Sequence, residues 1–174
     1  MISIWLIPAR EDAQYIQAII NNLSTNYQAP VFSPHCTLYS PIDLPKAELK
    51  KILERSAKNM KSFYVKNIMI SHTEDLWKTI FIKLLRSSEL EQLQQEVISQ
   101  FQVEKPYKFS PHISLLYKEI SDKKKEHIIR NLQVKNSFKM DKIAAVRTGP
   151  NVDNWETVVA VSYTHLTLPT IYSV

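Results

Sequence analysis

The sequence predicts a single domain that mixes strands with helices and is assembled from two similar halves. Three observations lead there. Segments with the two-residue period of strands alternate with segments of helical period along the chain. The stretch PHCTLYS at 34–40 is nearly repeated as PHISLLY at 111–117. The length of 174 residues suffices for one well-filled core and is short for two.

ISIWLIP at 2–8 is an apolar run stopped by Pro8, as a buried strand would be. EDAQYIQAIINNLS at 11–24 sets Tyr15, Ile16, Ile19, Ile20 and Leu23 at helical spacing. The first motif follows as a short strand, and LPKAELKKILERSAKN at 44–59 as a second helix. FYVKNIMISH and WKTIFIKLL read as a strand pair joined around His72 to Leu76. The helix SSELEQLQQEVISQF leads to the second motif strand, and SDKKKEHIIRNL begins with a Ser-Asp helix start. FKMDKIAAVRT and WETVVAVSY close the chain as a strand pair. Strand, helix, motif, helix, strand, strand, and then helix, motif, helix, strand, strand make an approximate internal repeat, with the two motifs in equivalent places.

A composition of 44% hydrophobic and 22% charged residues is that of a folded globular chain. No run approaches the roughly 20 apolar residues of a membrane span. The opening MISIWLIPAR is too short, with its charge on the wrong side, for a signal peptide. A cytoplasmic protein without a membrane partner is expected. The single cysteine, Cys36, can form no internal disulfide and no cysteine-rich metal site. A net charge of +5 leans mildly toward anionic partners. Much of the excess lies in KAELKK at 46–51 and KKKEH at 123–127, which read as solvated helix faces. Lys105 and Lys108, just ahead of the second motif, are the lysines placed to feel a phosphate.

Strand geometry puts His35 and Thr37 on one face with Tyr39, and His112 and Ser114 on one face with Leu116. An imidazole titrates near pH 6.5, so two of them can work in opposite protonation states at neutrality. Two hydroxyls can hold the non-bridging oxygens of a phosphate between them and stabilise the charge that builds there. These are the parts of a phosphodiesterase that needs no metal. One histidine would deprotonate the attacking water while the other protonates the departing sugar oxygen. A lone His-x-Thr in a strand is most often structural; the repeated context, with Pro before and Leu after, sets this pair apart. Zinc is a weak alternative, since two histidines lack a carboxylate or thiolate at ligand spacing. No metal or other cofactor is expected. Cys36 points away from His35 and fills core space.

HCTL at 35–38 and HISL at 112–115 resemble the duplicated motifs of the 2H phosphoesterase superfamily. PYKFSPHISLLYKEISDKKKE at 106–126, SIWLIP at 3–8 and NWETVVAV at 154–161 are similar to its cyclic phosphodiesterase branch, known from plants and yeast. The resemblance runs from Ile2 to about Ser162 and is most specific around the second motif. It implies a bilobal α+β fold, with two antiparallel sheets facing a central cleft, helices outside and pseudo-twofold symmetry. It also implies hydrolysis of ADP-ribose 1″,2″-cyclic phosphate to ADP-ribose 1″-phosphate, usually with some action on nucleoside 2′,3′-cyclic phosphates. Carried over, His35 and His112 take the acid and base roles in either order, Thr37 and Ser114 bind the phosphate, and Tyr117 stands beside the substrate. Trp77 lies on a strand that the family sets by the cleft, where it would stack on a base or sugar, with an ordinary core position as the equal alternative. Lys78 stands where some relatives carry a neutral amide, which bears on substrate preference.

The domain is read as residues 1–162. THLTLP at 164–169 offers a third His-x-Thr-Leu, but SYTHLTLPT resembles translated adapter sequence, so residues 163–174 are treated as a non-native tail and His165 receives no role. His72 and His127 lack a hydroxyl in matching context and are assigned to surface or turn. Two other readings stand beside the small cyclic nucleotide. An RNA 2′,3′-cyclic phosphodiesterase or 2′-5′ RNA ligase-like enzyme would carry a basic stripe for a nucleic acid, whereas the charge here is scattered over helices. A nucleotide-binding module without turnover would keep the cleft and lose the need for both histidines. A monomer suffices for all three.

Overall fold

The computed structural model describes residues 1–101 and 107–163. Within them lie β1 (Ile2–Pro8), α1 (Arg10–Tyr27), β2 (Cys36–Ile42), α2 (Lys46–Ala57), β3 (Phe63–His72), β4 (Ile80–Leu84), α3 (Ser88–Ser99), β5 (His112–Leu116), α4 (Asp122–Asn131), β6 (Ser137–Arg147) and β7 (Glu156–Ser162). Every segment read as strand or helix forms one, with one local change: WKTIFIKLL opens as a single-turn 3-10 helix, Leu76–Lys78, and becomes strand only at Ile80.

All strand pairs are antiparallel, in the order β2-β1-β6-β3-β4-β5, with β7 added to β6. Exchanging β1 with β4, β2 with β5 and β3 with β6 leaves that order unchanged when it is read backwards. A pseudo-twofold axis therefore runs between β3 and β6, and the halves are β1 to β3 and β4 to β6. The sequence repeat was drawn one strand late, because β4 opens the second half instead of ending the first. Where the resemblance implies two sheets, the pairings join seven strands into one network through a short seam, Phe63–Lys66 against Ser137–Met140. The seam is short because β3 gives its second part to β4, while β6 gives its own to β1 and β7.

The helices bury one stripe each against this sheet. In α1 the stripe is Ile16, Ile20 and Leu23; in α3 it is Leu90, Leu93 and Val97. At about 1.5–3 kcal/mol per fully buried aliphatic side chain, these stripes outweigh the weak intrinsic stability of helices so short. Each crosses the axis: α1 packs on β5 and α3 on β2, so the first helix of one half backs the motif strand of the other. Glu11 and Asp12 complement the dipole in the first turn of α1, which ends at Gln28 in the left-handed region (φ 52°) with its N–H on the Ser24 carbonyl. The Ser87 hydroxyl caps α3 by accepting from the Leu90 N–H at 3.3 Å, whereas Ser121 precedes α4 without a side-chain cap bond. Tyr163, just after β7, is buried beside Phe63 and donates its N–H to the Asp141 carbonyl. Lys105, His165 and Thr167 lie outside the described residues.

Candidate active site

Both motif strands carry the same irregularity. On β2, Thr37 faces Trp5 and Tyr39 faces Ile4; on β5, Ser114 faces Phe81 and Leu116 faces Ile80. Each register slip leaves one residue unmatched directly after the hydroxyl, Leu38 and Leu115, which is the geometry of a β-bulge. Strict alternation stops there. Tyr39 and Leu116, expected on the cleft face, turn away: Tyr39 packs on Phe101 and Tyr107, and Leu116 is fully buried. Ser40 and Tyr117, each the fifth residue after its histidine, line the cleft in their stead.

That cleft encloses about 550 Å³ and brings His35, Thr37, His112 and Ser114 together. His35 immediately precedes β2 and His112 begins β5. Their Nδ1 atoms lie 2.8 Å and 2.7 Å from the carbonyl oxygens of Ser33 and Ser110. A carbonyl only accepts, so Nδ1 carries the proton in each ring and Nε2 keeps the free lone pair. The tract Ser-Pro-His, at 33–35 and 110–112, builds this clamp twice.

The surroundings of the rings differ. Trp5 stacks on His35 with centroids 3.6 Å apart, whereas Phe81, its symmetry counterpart, meets His112 edge-on at 5.4 Å. Burial lowers His35 from 6.5 to about 4, against the opposing bond to Ser33 and helped by the His112 charge. His112 is lowered as well, first by burial, with the Ser110 bond opposing and the nearby Lys78 charge adding. Both imidazoles thus favour the neutral form at pH 7, and a phosphate anion between them would favour taking up a proton.

The two hydroxyls differ too. Ser114 donates to the Trp77 carbonyl at 3.0 Å and lies near the Tyr117 hydroxyl, while Thr37 has no side-chain hydrogen bond among the described residues. Cys36 is buried near the His112 backbone, and burial pushes its thiol up to about 12 against the lowering effect of that backbone. It is packing, as expected.

Trp77 is held at the mouth by its own turn. Asp75 accepts the Trp77 N–H at 2.9 Å, and the buried Lys125 of α4 pairs with Glu74 at 2.9 Å and Asp122 at 3.1 Å, fastening the turn to the helix. The indole stands edge-on to Tyr117 at 5.3 Å and lies 5.7 Å from Trp155, which in turn reaches Trp5 at 5.6 Å. Tyr117 is backed by a stack on Phe32 at 3.8 Å. Farther along the cleft, the Ser3 hydroxyl bonds those of Ser40 at 2.8 Å and Thr148 at 3.2 Å.

Sequence reasoning left Trp5, Trp155 and Ser40 without a role. Trp5 was within reach, because the period of β1 puts Ser3 and Trp5 on the face opposite Ile4 and Leu6. Trp155 carries no local signal. Lys108 is exposed and does not line the cleft, and neither His72 nor His127 does. Among the described residues no group of three or more His, Cys, Asp or Glu is arranged to hold a metal, and no helix is long and apolar enough to cross a membrane.

Two histidine and hydroxyl pairs, related by a twofold axis and facing one cleft, define a 2H phosphoesterase. A family model described as Cyclic phosphodiesterase-like protein matches residues 1–163, and the chain belongs to that family. The cyclic phosphodiesterase of Arabidopsis thaliana is 22% identical over 165 residues, which cover 90% of this chain and 91% of the relative. E. coli LigT in its apo form shares the fold at a TM-score of 0.62 and 13% identity, over 94% of this chain and 97% of LigT. LigT complexed with 3′-AMP gives a TM-score of 0.56 at 14% identity, over 94% and 98%.

Proposed function

We propose that this cyclic phosphodiesterase opens ADP-ribose 1″,2″-cyclic phosphate to ADP-ribose 1″-phosphate, and nucleoside 2′,3′-cyclic phosphates to nucleoside monophosphates, without a metal. The observation that carries this is the paired clamp: two imidazoles on one cleft, each with Nδ1–H on a carbonyl and Nε2 free. With the ring phosphate between them, the neutral imidazole takes a proton from water as its oxygen attacks phosphorus. The protonated one gives its proton to the sugar oxygen as the P–O bond breaks. Thr37 donates to one non-bridging oxygen and Ser114, on turning its hydroxyl from the Trp77 carbonyl, to the other, and the aromatic wall of Trp77, Trp155 and Tyr117 receives the base or sugar.

A cleft of this size suits one nucleotide, which favours a small substrate over a polynucleotide. A substrate panel with chelator present tests the proposal: ADP-ribose 1″,2″-cyclic phosphate, adenosine 2′,3′-cyclic phosphate and an oligonucleotide ending in a cyclic phosphate. Turnover of the first two with chelator is the expected result. Preference for the oligonucleotide would move the protein to RNA ends, and nucleotide binding without any turnover would make it a binding module.

A further inference from the structure

Lys78 is a cation inside the cleft with no carboxylate assigned to it. Its ammonium donates to the Ser110 hydroxyl at 3.1 Å and lies 4.5 Å from the centre of the Phe81 ring. It forms no ion pair among the described residues. Both of its partners belong to His112: Ser110 holds the imidazole Nδ1, and Phe81 packs edge-on to the ring. The charge therefore sits beside the second histidine. Lys83 and Lys108 add positive field there, while the Asp75 carboxylate, which accepts the Trp77 N–H, acts on the ammonium only through its field and forms no ion pair with it. A partly exposed ammonium that no carboxylate contacts directly is free to meet an anionic ligand with a charge-assisted hydrogen bond.

We propose that Lys78 binds the reacting phosphate itself and selects for its more highly charged, ring-opened form. The inference rests on the phosphodiesterase reading above. A cyclic phosphate diester carries one negative charge. The monoester left by hydrolysis carries nearly two at neutral pH, since its second ionisation lies near about 6. A fixed cation beside His112 thus holds the ionised monoester more tightly than the cyclic diester, and it meets the negative charge that the attacking oxygen brings to phosphorus as it loses its proton, which is the differential binding that accelerates a step.

Lys78→Gln and Lys78→Arg, each checked for an unchanged circular dichroism spectrum, provide the test against adenosine 2′,3′-cyclic phosphate. Lys78→Gln is expected to lower kcat/KM by about 10- to 100-fold. It should also weaken inhibition by the monophosphate product more than it raises KM, with Lys78→Arg restoring most of both. A kcat/KM within about twofold of the parent, or equal losses for cyclic and opened nucleotides, would overturn the inference. Calorimetric titration with inorganic phosphate reads the same contact without turnover. Weaker binding to Lys78→Gln supports the cation site even in a protein that hydrolyses nothing, which would sink the catalytic reading alone. Unchanged phosphate binding sinks the Lys78 site and leaves that reading standing.

Discussion

The indole of Trp5 lies flat against the imidazole of His35, with centroids 3.6 Å apart and planes 10° from parallel. The contact fixes the tilt of the ring that the Ser33 carbonyl has already fixed in rotation. Trp5→Leu removes the flat surface while keeping β1 apolar. We expect kcat to fall about tenfold with KM nearly unchanged, since positioning and not binding is lost, and Trp5→Phe to recover part of it. A loss confined to KM would show that the indole serves the substrate instead of the histidine.

His35→Ala and His112→Ala are each expected to reduce turnover by at least ~10²-fold, the scale of a lost proton-transfer partner. The double variant should be little worse than either single one, because acid and base act as a unit. Steady-state kinetics decide it, and multiplicative losses would contradict joint action.

Thr37 and Ser114 should not respond alike. Thr37→Ala removes a hydroxyl with no hydrogen-bond partner among the described residues, so its whole effect, about 10²-fold in kcat, falls on the phosphate. Ser114→Ala also frees the Trp77 carbonyl, and is expected to lower melting temperature as well as activity. Thermal melts of the two variants separate the cases. Equal melting temperatures would argue against the tether.

His35 also ties stability to pH. Its folded value of about 4 lies below the ordinary 6.5, so the unfolded chain takes up a proton first as pH falls. Stability is full above about pH 6.5, declines from there to about 4, and the loss is complete below that. The whole span is worth about 3 kcal/mol. Urea titrations at about pH 7 and about pH 4.5 should show a smaller decline in His35→Phe, which fills the ring's space without its proton. An identical decline would place the acid sensitivity elsewhere.

Most of the fold was legible because its signals are local. The stripe in α1, the apolar run in β1 and the Pro-His lead of each motif all lie within a few residues. So did the four site residues, since a strand of period two needs no tertiary knowledge to pair His35 with Thr37. What the sequence hid depends on partners. The bulges after Thr37 and Ser114 arise from register against β1 and β4, so strand period alone sets Tyr39 and Leu116 on the cleft face where Ser40 and Tyr117 stand; only the family resemblance puts Tyr117 there. Trp155 reaches the site only because β7 pairs with β6, a contact between segments whose own periods say nothing about the neighbour each will choose. The Ser-Pro-His clamp was visible twice, but its purpose appears only when the carbonyl is seen to meet Nδ1.

The unmatched strand has a chemical consequence. A site of exact twofold symmetry would offer a bound molecule the same surroundings in two orientations half a turn apart. The connection into β7 has no twin, and it sets Trp155 against Trp5 and Trp77 along one wall. The duplicated halves repeat the two histidine clamps, and this lone appendage gives the cleft a wall that the twofold does not repeat, so a bound molecule meets different surroundings at its two ends.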